Sequence, residues 1–469
     1  MRPQNSTTVA IVGGGILGMS LALRLKREGF AVTILEEAAV TGGLAAPAAF
    51  GRYTWDRFYH VILLSDLHLR RLLDDLGLSD RLHWGTTRTG FFTDGRLHSL
   101  SDNLEFLTFR PLSLLDKCRL ALTIFYASRL KNWRRLETIP VDLWLLRLSG
   151  RRVFERIWLP LLKSKLGDNY RVASAAFIWA IIARMYAARR SGMKRELFGY
   201  VDGGYDVVLR RFREVLDEQE IETCRGVAVS TVRDHGQAVE VQSRNGSVRR
   251  FDRVVLTIPC SRIADACPQL TTGEKERLRG VLYQGIVCGS MLVGRPLKGF
   301  YVTNITDDWV PFTGVIEMTA LVNRDQFGGN SLVYLPRYLT QDDPFWQKSD
   351  AEVRSEFLAA VTRMYPHIGE GDVLAFQVSR AREVLAISTI RYSLDRLPPI
   401  QTSLPRVFIV NSAQILAGTL NVNETLAVAK AGGDYLARLW RTENAGAIPR
   451  DDTMQNLAGR DGAPRESLR

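Results

Sequence analysis

The sequence predicts an α/β protein with a parallel sheet, interrupted by a helical segment and by a segment of mixed α+β structure. Three observations carry this prediction. A strand, a glycine-rich turn and a helix follow one another near the N-terminus, period-3.6 apolar residues fill the region 104–195, and alternating β-branched residues dominate several stretches after residue 226. Since 469 residues exceed what one compact core holds, two or more domains are expected.

The first element of the chain is a strand–turn–helix unit. Residues 8–12 read Thr-Val-Ala-Ile-Val and lead into a GxGxxG turn with glycines at Gly13, Gly15 and Gly18. The first glycine allows a sharp bend, the second lets the main chain approach a pyrophosphate, and the third lets helix and strand pack closely. The helix that begins at Ile16 and Leu17 directs free N–H groups and a positive dipole end towards the phosphates.

A second strand completes the βαβ unit and ends in a carboxylate. Residues 31–35 are apolar or β-branched, and Glu36 follows roughly 20 residues after the turn. A carboxylate there accepts hydrogen bonds from both hydroxyls of an adenosine ribose and disfavours a 2′-phosphate, which argues against NADP. The unit therefore predicts a Rossmann-like dinucleotide-binding domain, with a glycine-rich loop of an unrelated α/β protein as the alternative.

The changes in pattern along the chain divide it into four predicted regions. A discontinuous nucleotide-binding domain comprises three segments, residues 1–99, 199–261 and 376–441. A helical insert that faces substrate or membrane comprises residues 100–198, and a mixed α+β substrate domain comprises residues 262–375. The polar segment 442–469 is predicted to be a disordered tail.

The net charge of +12 is concentrated in the helical insert. Between Arg110 and Arg213 there are 22 Lys and Arg against 8 Asp and Glu, together with many large apolar residues. This composition suits an anionic membrane surface or a phosphorylated, partly apolar substrate, and a solvated charged face over a helical core is the alternative. Within the insert, Lys163 and Lys165 either meet a substrate phosphate or face solvent. No nucleic-acid-binding module is recognisable.

Several sequence features bear on location and on metal binding. No stretch reaches the roughly 18 uninterrupted apolar residues of a membrane span, and the first strand follows the N-terminus too closely for a signal peptide. The five cysteines show neither a CxxC motif nor metal-ligand spacing, so we expect no metal site. These features predict a cytoplasmic protein, peripheral at the inner face of the membrane if the basic insert binds lipid.

A second glycine pair, Gly42-Gly43-Leu44, follows Glu36 by a few residues. Together with the turn at 12–18, this pair resembles the flavin-containing amine oxidase and protoporphyrinogen-oxidase-like superfamily, over nearly the whole chain. The segment Trp55-Asp56-Arg57-Phe58-Tyr59-His60 is similar to a bacterial subgroup of NAD(P)/FAD-dependent oxidoreductases and to the flavin-contacting loop of UDP-galactopyranose mutase. The resemblance implies FAD as the cofactor.

The resemblance also implies which residues contact FAD. They lie in the two glycine segments, at the strand end, in the His loop, in a strand that meets adenine and in the last cofactor segment: Gly13, Gly15, Ile16, Leu17, Gly18, Glu36, Glu37, Gly42, Gly43, Leu44, His60, Val229, Asn411 and Asn423. At Asn411 the superfamily usually carries Gly-Asp or Gly-Glu, so the chain lacks that charge. Asn423 is predicted to cap the final helix, whose N-terminus faces the flavin O2/N1 edge.

Four residues are candidates for the chemistry. His60 acts as an acid or base or polarises the flavin, unless it is a structural histidine bonded to the backbone. Glu317 lies among apolar residues of a predicted strand, as an acid or base with a shifted pKa or as an outward-facing residue. Tyr334 and Arg337, with Tyr301, are expected to line the substrate cavity, where an arginine suits a phosphate or carboxylate.

These features lead to one principal hypothesis and two alternatives. The principal one is a FAD-dependent oxidoreductase that transfers hydride to or from a C–C or C–N bond of a partly apolar, anionic substrate, such as an isoprenoid, a lipid-linked intermediate or a secondary-metabolite precursor. The first alternative is a redox-neutral, flavin-dependent isomerase of a nucleotide sugar. The second is a flavin-free binding protein similar to the GDP-dissociation inhibitors. The sequence leaves the oligomeric state open.

Overall fold

The computed structural model describes residues 7–101, 103–109, 111–189, 197–416 and 418–444. The strands in these ranges are β1 (Thr8–Val12), β2 (Ala31–Glu36), β3 (Pro47–Phe50), β4 (Tyr53–Asp56), β5 (Ile62–Leu63), β6 (Leu82–Thr86), β7 (Thr89–Thr93), β8 (Arg96–Ser99), β9 (Leu197–Val201), β10 (Glu222–Arg225), β11 (Val229–Asp234), β12 (Val239–Ser243), β13 (Val248–Phe251), β14 (Arg253–Leu256), β15 (Tyr283–Val293), β16 (Val302–Ile305), β17 (Gly314–Glu317), β18 (Ser331–Leu339), β19 (Val373–Ala386) and β20 (Val407–Ile409).

The helices begin and end as follows: α1 (Ile16–Arg27), α2 (Leu67–Asp75), α3 (Asn103–Thr108), α4 (Leu114–Arg129), α5 (Trp133–Leu136), α6 (Val141–Ser149), α7 (Arg151–Val153), α8 (Leu159–Leu166), α9 (Ala175–Arg189), α10 (Gly204–Glu218), α11 (Cys260–Ala266), α12 (Thr272–Arg279), α13 (Asp350–Met364), α14 (Tyr392–Asp395) and α15 (Val422–Asn444). α15 includes residues 442–444 of the predicted tail, and residues 445–469 lie outside the described part of the chain.

A five-stranded parallel sheet lies at the centre of the nucleotide-binding region, in the strand order β10-β2-β1-β14-β20. Its central strand β1 is buried from Val9 to Val12, as expected for a strand with both faces covered. On one face α1 packs against α15, and Trp440 of α15 contacts Phe30 and Phe408 edge-to-face. The prediction of an α/β fold with a parallel sheet is confirmed.

A seven-stranded sheet, in the order β19-β15-β18-β17-β16-β7-β8, forms the second layer of the molecule. The predicted boundary at residue 376 falls inside β19, which pairs along most of its length with β15. The hairpin β7–β8 also belongs to this sheet, because β7 pairs in parallel with β16, although residues 1–99 were assigned to the nucleotide-binding domain. Both boundaries are corrected by long-range strand pairing, and the other boundaries stay predictions.

Side chains alternate between the two faces of this sheet. Tyr334 of β18 lies opposite Ile316 of β17, on the face that carries an aromatic cluster next to β4. Val333 and Glu317 also lie opposite each other, but on the other face, which is covered by α13. This alternation decides below which predicted residues can share a site.

In the described part of the region 103–189, every regular element is a helix, from α3 to α9. Its core is built from tryptophans and branched residues, among them Trp133, Trp144 and Trp158. Among the described residues, no helix combines the length and the apolar character that crossing a membrane requires.

Candidate functional site

The turn between β1 and α1 has the geometry of a phosphate-binding loop. Gly13 has φ +111°, which favours glycine, and its N–H donates to the Leu35 carbonyl at 2.9 Å. The Thr257 hydroxyl donates to the Val12 and Gly13 carbonyls at 2.9 and 3.1 Å. A Cβ on Gly18 would overlap the Gly13 carbonyl oxygen, so only glycine lets α1 pack this closely on the turn.

The second glycine pair lies directly against this turn. The Gly42 N–H donates to the Gly14 carbonyl at 2.8 Å, and Gly15 forms a parallel bridge with Gly42. A Cβ on Gly43 would lie 3.2 Å from the Gly15 Cα, which leaves little room for side chains between the two segments. The sequence predicted that both segments serve one ligand, and the structure brings them into contact.

Glu36 is oriented towards the same turn. Its carboxylate accepts hydrogen bonds from the Gly14 N–H at 2.5 Å and from the Ala38 N–H at 2.8 Å. Glu37, in contrast, is exposed and pairs with Arg244 and Arg262 at 3.2 and 2.9 Å. The side chain of Glu37 therefore contributes to a surface ion-pair cluster, and its cofactor contact stays a prediction.

These residues fit the adenosine diphosphate part of FAD. The first-turn N–H groups of α1 lack intrahelical acceptors, and no side chain caps this helix end. The Thr41 hydroxyl beside the glycine pair is buried without a hydrogen-bond partner, so it has a donor and an acceptor to offer a ligand. Val229 begins β11, and Val227 just before it is tied to the Glu36 carbonyl at 2.8 Å. Val229, for which an adenine contact is predicted, therefore lies close to the end of β2, where Glu36 is predicted to bind the ribose.

The loop after β4 contains the predicted His60. One oxygen of the buried Asp56 carboxylate accepts from the Tyr205 N–H at 2.7 Å, and the other lies 3.6 Å from His60 Nδ1. The His60 ring packs 4.8 Å from the Tyr205 ring, and its Nδ1 is buried without a hydrogen-bond partner. Trp55, Met318 and these three residues line a small cavity. His60 is thus held between Asp56 and Tyr205, and its Nδ1 faces the Asp56 carboxylate.

Aromatic hydroxyls gather behind this loop, on the face of the seven-stranded sheet that carries Tyr334. The hydroxyls of Tyr59 and Tyr338 share a hydrogen bond of 2.8 Å. The Lys165 ammonium of α8 lies 3.4 Å from the Tyr59 hydroxyl and 4.8 Å from the centre of the Tyr338 ring. The Tyr301 hydroxyl of the same cluster is buried and unpaired. One exposed cation therefore borders an aromatic wall of which Tyr59 and Tyr338 are half-buried.

Burial keeps these tyrosines neutral. Desolvation raises the pKa of Tyr59 to about 12, although its hydrogen bond with Tyr338 lowers it. Burial also raises the pKa of Tyr338, Tyr301 and Tyr334 far above the ordinary value for tyrosine. At neutral pH this wall consequently offers hydroxyl groups and ring faces, and Lys165 supplies its positive charge.

The structure corrects the catalytic assignment of Glu317. Its carboxylate is 2% exposed and accepts hydrogen bonds from the N–H groups of Leu297, Lys298 and Gly299 at 2.8, 3.2 and 2.8 Å. It lies on the α13 side of the sheet, opposite the face of the aromatic wall. Glu317 therefore holds the turn at 297–299, because buried carboxylates are stable only when such donors surround them.

The predicted role of Arg337 in the substrate cavity is also corrected, because its side chain lies on the same side of the sheet as Glu317. Its guanidinium donates to the Pro311 carbonyl at 2.8 Å and stacks 4.2 Å from the centre of the Phe345 ring, again on the α13 side. Tyr334 does lie on the face of the aromatic wall, but it is completely buried and donates to the Asp56 carbonyl at 2.6 Å. Tyr334 thus positions the loop that carries His60 and does not itself face a substrate.

The last cofactor segment contains two further predicted residues. The buried Asn411 carboxamide donates to the Ile258 carbonyl at 3.0 Å and accepts from the Ala413 N–H at 3.1 Å. Asn411 therefore joins the ends of β14 and β20, and its cofactor contact stays a prediction. The Asn423 side chain accepts from the N–H groups of His68 and Leu69 at 2.8 and 3.2 Å, at the start of α2.

The predicted N-cap of the final helix is corrected. α15 begins at Val422, and the Asn421 side chain accepts from the Glu424 N–H at 3.0 Å. Asn421 is therefore the residue that caps α15, whereas Asn423 in the first turn caps the neighbouring helix α2. Both asparagines hold the N-terminus of α15 in place beside α2.

Sequence reasoning missed Tyr59 and Tyr338, and it left Lys165 undecided between solvent and a phosphate. A signal for Tyr338 was available, since it follows Tyr334 by four residues on one strand and therefore shares its face. No local pattern indicates that α8 brings Lys165 to these tyrosines, because its contact with Tyr59 joins residues 106 positions apart.

Comparison with known proteins places the chain in a family. The signature of the flavin containing amine oxidoreductases matches residues 18–420. A stretch of 73 residues is 33% identical to protoporphyrinogen oxidase 2, chloroplastic/mitochondrial, of Arabidopsis thaliana, and covers 16% of this chain and 14% of that protein.

Two solved structures illustrate the likeness of fold. A protein of Exiguobacterium sp. 255-15 that is assigned as a protoporphyrinogen oxidase has a TM-score of 0.74 at 18% identity, over 93% of this chain and 100% of that chain. A CLA-producing fatty acid isomerase of P. acnes has a TM-score of 0.68 at 15% identity, over 92% and 99%. Since the family signature spans most of the sequence, the chain belongs to the flavin containing amine oxidoreductases and is an oxidoreductase with FAD as its cofactor.

Proposed function

We propose that this oxidoreductase transfers hydride to or from a C–C or C–N bond of a substrate that is apolar over most of its length and carries an anionic group. The observation that supports this proposal is the aromatic wall of Tyr59, Tyr338 and Tyr301 with Lys165 at its edge. Isoprenoids, lipid-linked intermediates and secondary-metabolite precursors with a phosphate or carboxylate have this chemistry. The finer domain arrangement, in which a Rossmann-like FAD domain is interrupted by a helical and a mixed insert, is part of the proposal.

The wall favours an apolar substrate because it consists of aromatic rings whose hydroxyls are neutral. Aromatic side chains bury large areas, and each hydrophobic contact with a substrate is worth about 25 cal/mol per Å² of apolar area. Lys165 is a compact cation on a flexible stem, suited to a phosphate or carboxylate. An apolar chain along the rings and an anion at Lys165 would satisfy both parts of the wall.

The cofactor supplies the hydride chemistry when it is bound. The protein residues position the reactants and handle the proton. Asp56 and Tyr205 hold the His60 ring, with Nδ1 facing the Asp56 carboxylate at 3.6 Å, so that the opposite ring nitrogen takes or gives a proton in the site. Tyr334 fixes the loop through the Asp56 carbonyl, and the buried tyrosines exclude water. His60 is therefore the residue that we propose as acid or base.

The proposal is tested by mixing the FAD-loaded protein anaerobically with prenyl phosphates, amines and nucleotide sugars, while the visible absorbance of the flavin is recorded. We expect bleaching by an apolar, anionic compound. The variant Lys165→Met should then need about 10 to 100 times more of that compound for half-maximal bleaching, because one charge-assisted hydrogen bond is lost. With a neutral analogue of the same compound, the variant should match the wild type.

Lys163→Met is the matched control, since Lys163 is also an exposed lysine of α8, two residues away. Equal concentration dependence in the Lys165 and Lys163 variants would contradict the proposed anion contact. Bleaching by neutral amines alone would contradict the substrate class. Conversion of a nucleotide sugar only after chemical reduction, without consumption of the reductant, would favour the isomerase, and a purified protein that binds no FAD would favour the flavin-free alternative.

A further inference from the structure

The outer side of α4 is apolar although it faces solvent. Its inner side packs on the helical core through Leu120, Thr123 and Ala127. Its outer side, with one leucine of α3, presents six large apolar side chains that are between 48 and 68% exposed: Leu107, Leu114, Leu115, Leu122, Phe125 and Tyr126. We call these six residues the α4 face. A surface helix normally turns polar residues outward, so the α4 face is expected to have a partner.

The neighbouring helix also exposes apolar side chains. α6 packs against α4 and exposes Leu143 and Leu146. A helix of 16 residues is roughly 24 Å long, so the two helices together present a broad apolar area and not a single exposed side chain. Isolated exposed leucines need no explanation, but a contiguous group of this kind marks an interaction site.

Arginines border the α4 face. Arg129 stacks on the Phe125 ring at 4.7 Å, and Arg156 donates to the Pro111 carbonyl at 2.9 Å, just before α4. Arg152 pairs at 3.4 Å with Asp116, the one acidic residue within α4. Asp116 is itself buried and bonded to Ser113. The edge of the apolar surface is therefore positively charged and its nearest acidic group is neutralised.

We propose that the α4 face docks on an anionic lipid bilayer. Apolar side chains enter the boundary between headgroups and acyl chains, and bordering arginines bind the anionic headgroups. Charge argues against the other occupants. A second copy of the chain on this face would bring its own arginines against these arginines, and the C-terminal residues 445–469 contain four basic and four acidic residues and thus no complementary charge.

Vesicle sedimentation of the full-length, FAD-loaded protein tests this proposal. We expect the protein to sediment with vesicles of equal parts phosphatidylglycerol and phosphatidylcholine, and much less with phosphatidylcholine alone. Binding should fall as the salt concentration rises, because headgroup attraction is screened. The double variant Leu122→Ser, Phe125→Ser should reduce the bound fraction at least tenfold while its flavin absorbance and melting temperature stay at the wild-type values.

Leu374→Ser with Leu394→Ser is the matched control, because both leucines are at least as exposed as Phe125 but lie on β19 and α14. This control should bind vesicles like the wild type. The proposal is overturned if the wild type does not sediment with anionic vesicles, or if the two double variants bind equally. It is also overturned if the wild type forms a dimer that the Leu122, Phe125 variant cannot form, since the α4 face would then be an interface between copies.

Discussion

At the scale of single residues, steric constraints make the glycine turn the most predictable part of the site. Gly13 needs a positive φ, and Gly18 has no space for a Cβ next to the Gly13 carbonyl. Such requirements act between neighbours in the sequence, so the spacing of the glycines alone expresses them. The bridge between Gly15 and Gly42 adds a long-range contact to the predicted ligand site.

The variant Gly18→Ala tests this constraint. The added methyl group overlaps the Gly13 carbonyl oxygen and must push α1 away from the turn, at a cost of about 1 to 3 kcal/mol. We expect FAD affinity to fall by about 5- to 150-fold, since 1.4 kcal/mol corresponds to a factor of ten. The measurement is a titration of the apoprotein with FAD, followed by flavin fluorescence.

Gly273→Ala is the control for Gly18→Ala. A Cβ at Gly273 in α12 meets no atom within 4 Å, and alanine favours a helix over glycine. This variant should bind FAD like the wild type and be at least as stable. Wild-type affinity in Gly18→Ala would show that the turn adapts without loss and that the tight packing has no role in binding.

Two of the predicted catalytic residues lie away from the aromatic wall, for a physical reason. The sequence around a charged residue in an apolar strand does not show whether its side chain faces a cavity or is hydrogen-bonded to backbone groups. Glu317 is bonded to three N–H groups, and Arg337 is bonded to a carbonyl. The two-residue period does separate Arg337 from Tyr334, because odd and even positions of β18 face opposite sides. The side of Glu317 follows only from its pairing opposite Val333. Only the tertiary fold shows which side carries the aromatic wall.

At the scale of elements, α15 is held in place by asparagines whose roles the sequence could not separate. Four residues read Asn421-Val422-Asn423-Glu424, and either asparagine is a suitable cap. The structure assigns Asn421 to α15 and Asn423 to α2, since the latter accepts the N–H groups of His68 and Leu69. A cap that acts between helices depends on their packing and leaves no local pattern.

The variant Asn423→Ala distinguishes this capping role from the cofactor contact that the sequence predicted. Loss of the two hydrogen bonds should lower the free energy of unfolding by about 1 kcal/mol, in the range of N-cap deletions. FAD affinity should remain within about twofold of the wild type. Chemical denaturation of the apoprotein and FAD titration measure the two quantities separately.

Asn423→Asp serves as the conservative variant, because it keeps a side-chain oxygen for the N–H groups of His68 and Leu69 and adds charge at a helix N-terminus. It should retain the stability of the wild type. A large loss of FAD affinity in Asn423→Ala, with unchanged stability of the apoprotein, would contradict the capping role and support the cofactor contact.

Strand β19 shows why one element was missed. Its 14 residues include Ala, Leu, Arg and Glu, which favour helices, and most of them are only half-buried at the edge of the sheet. The strict alternation of a half-buried strand is therefore weak. Pairing with β15 over most of its length determines the strand, and such pairing overrides local propensity.

At the scale of the whole molecule, the cofactor is expected to stabilise one part of the structure more than the rest. The segments predicted to bind FAD cluster around the parallel sheet, whereas the seven-stranded sheet has its own core under α13. Bound ligand adds about 2.7 kcal/mol to the free energy of unfolding at a concentration of 100 Kd. Bound FAD slows the exchange of an amide by this full amount only if that amide exchanges through complete unfolding. An amide that exchanges through a local opening is slowed only if the opening breaks contacts with FAD.

Hydrogen exchange of the FAD-loaded protein and the apoprotein tests this expectation. We expect removal of FAD to accelerate exchange most strongly in residues 13–19 and 41–46, because the N–H groups of these two glycine segments would lose their contacts with the ligand. Peptides from α13 are the internal reference, since this helix covers the face of the seven-stranded sheet away from the aromatic wall, and their exchange should change little. Equal acceleration in both glycine segments and in α13 would mean that the molecule opens as one cooperative unit. Unchanged exchange in residues 13–19 would place the cofactor elsewhere and contradict a site formed by the two glycine segments.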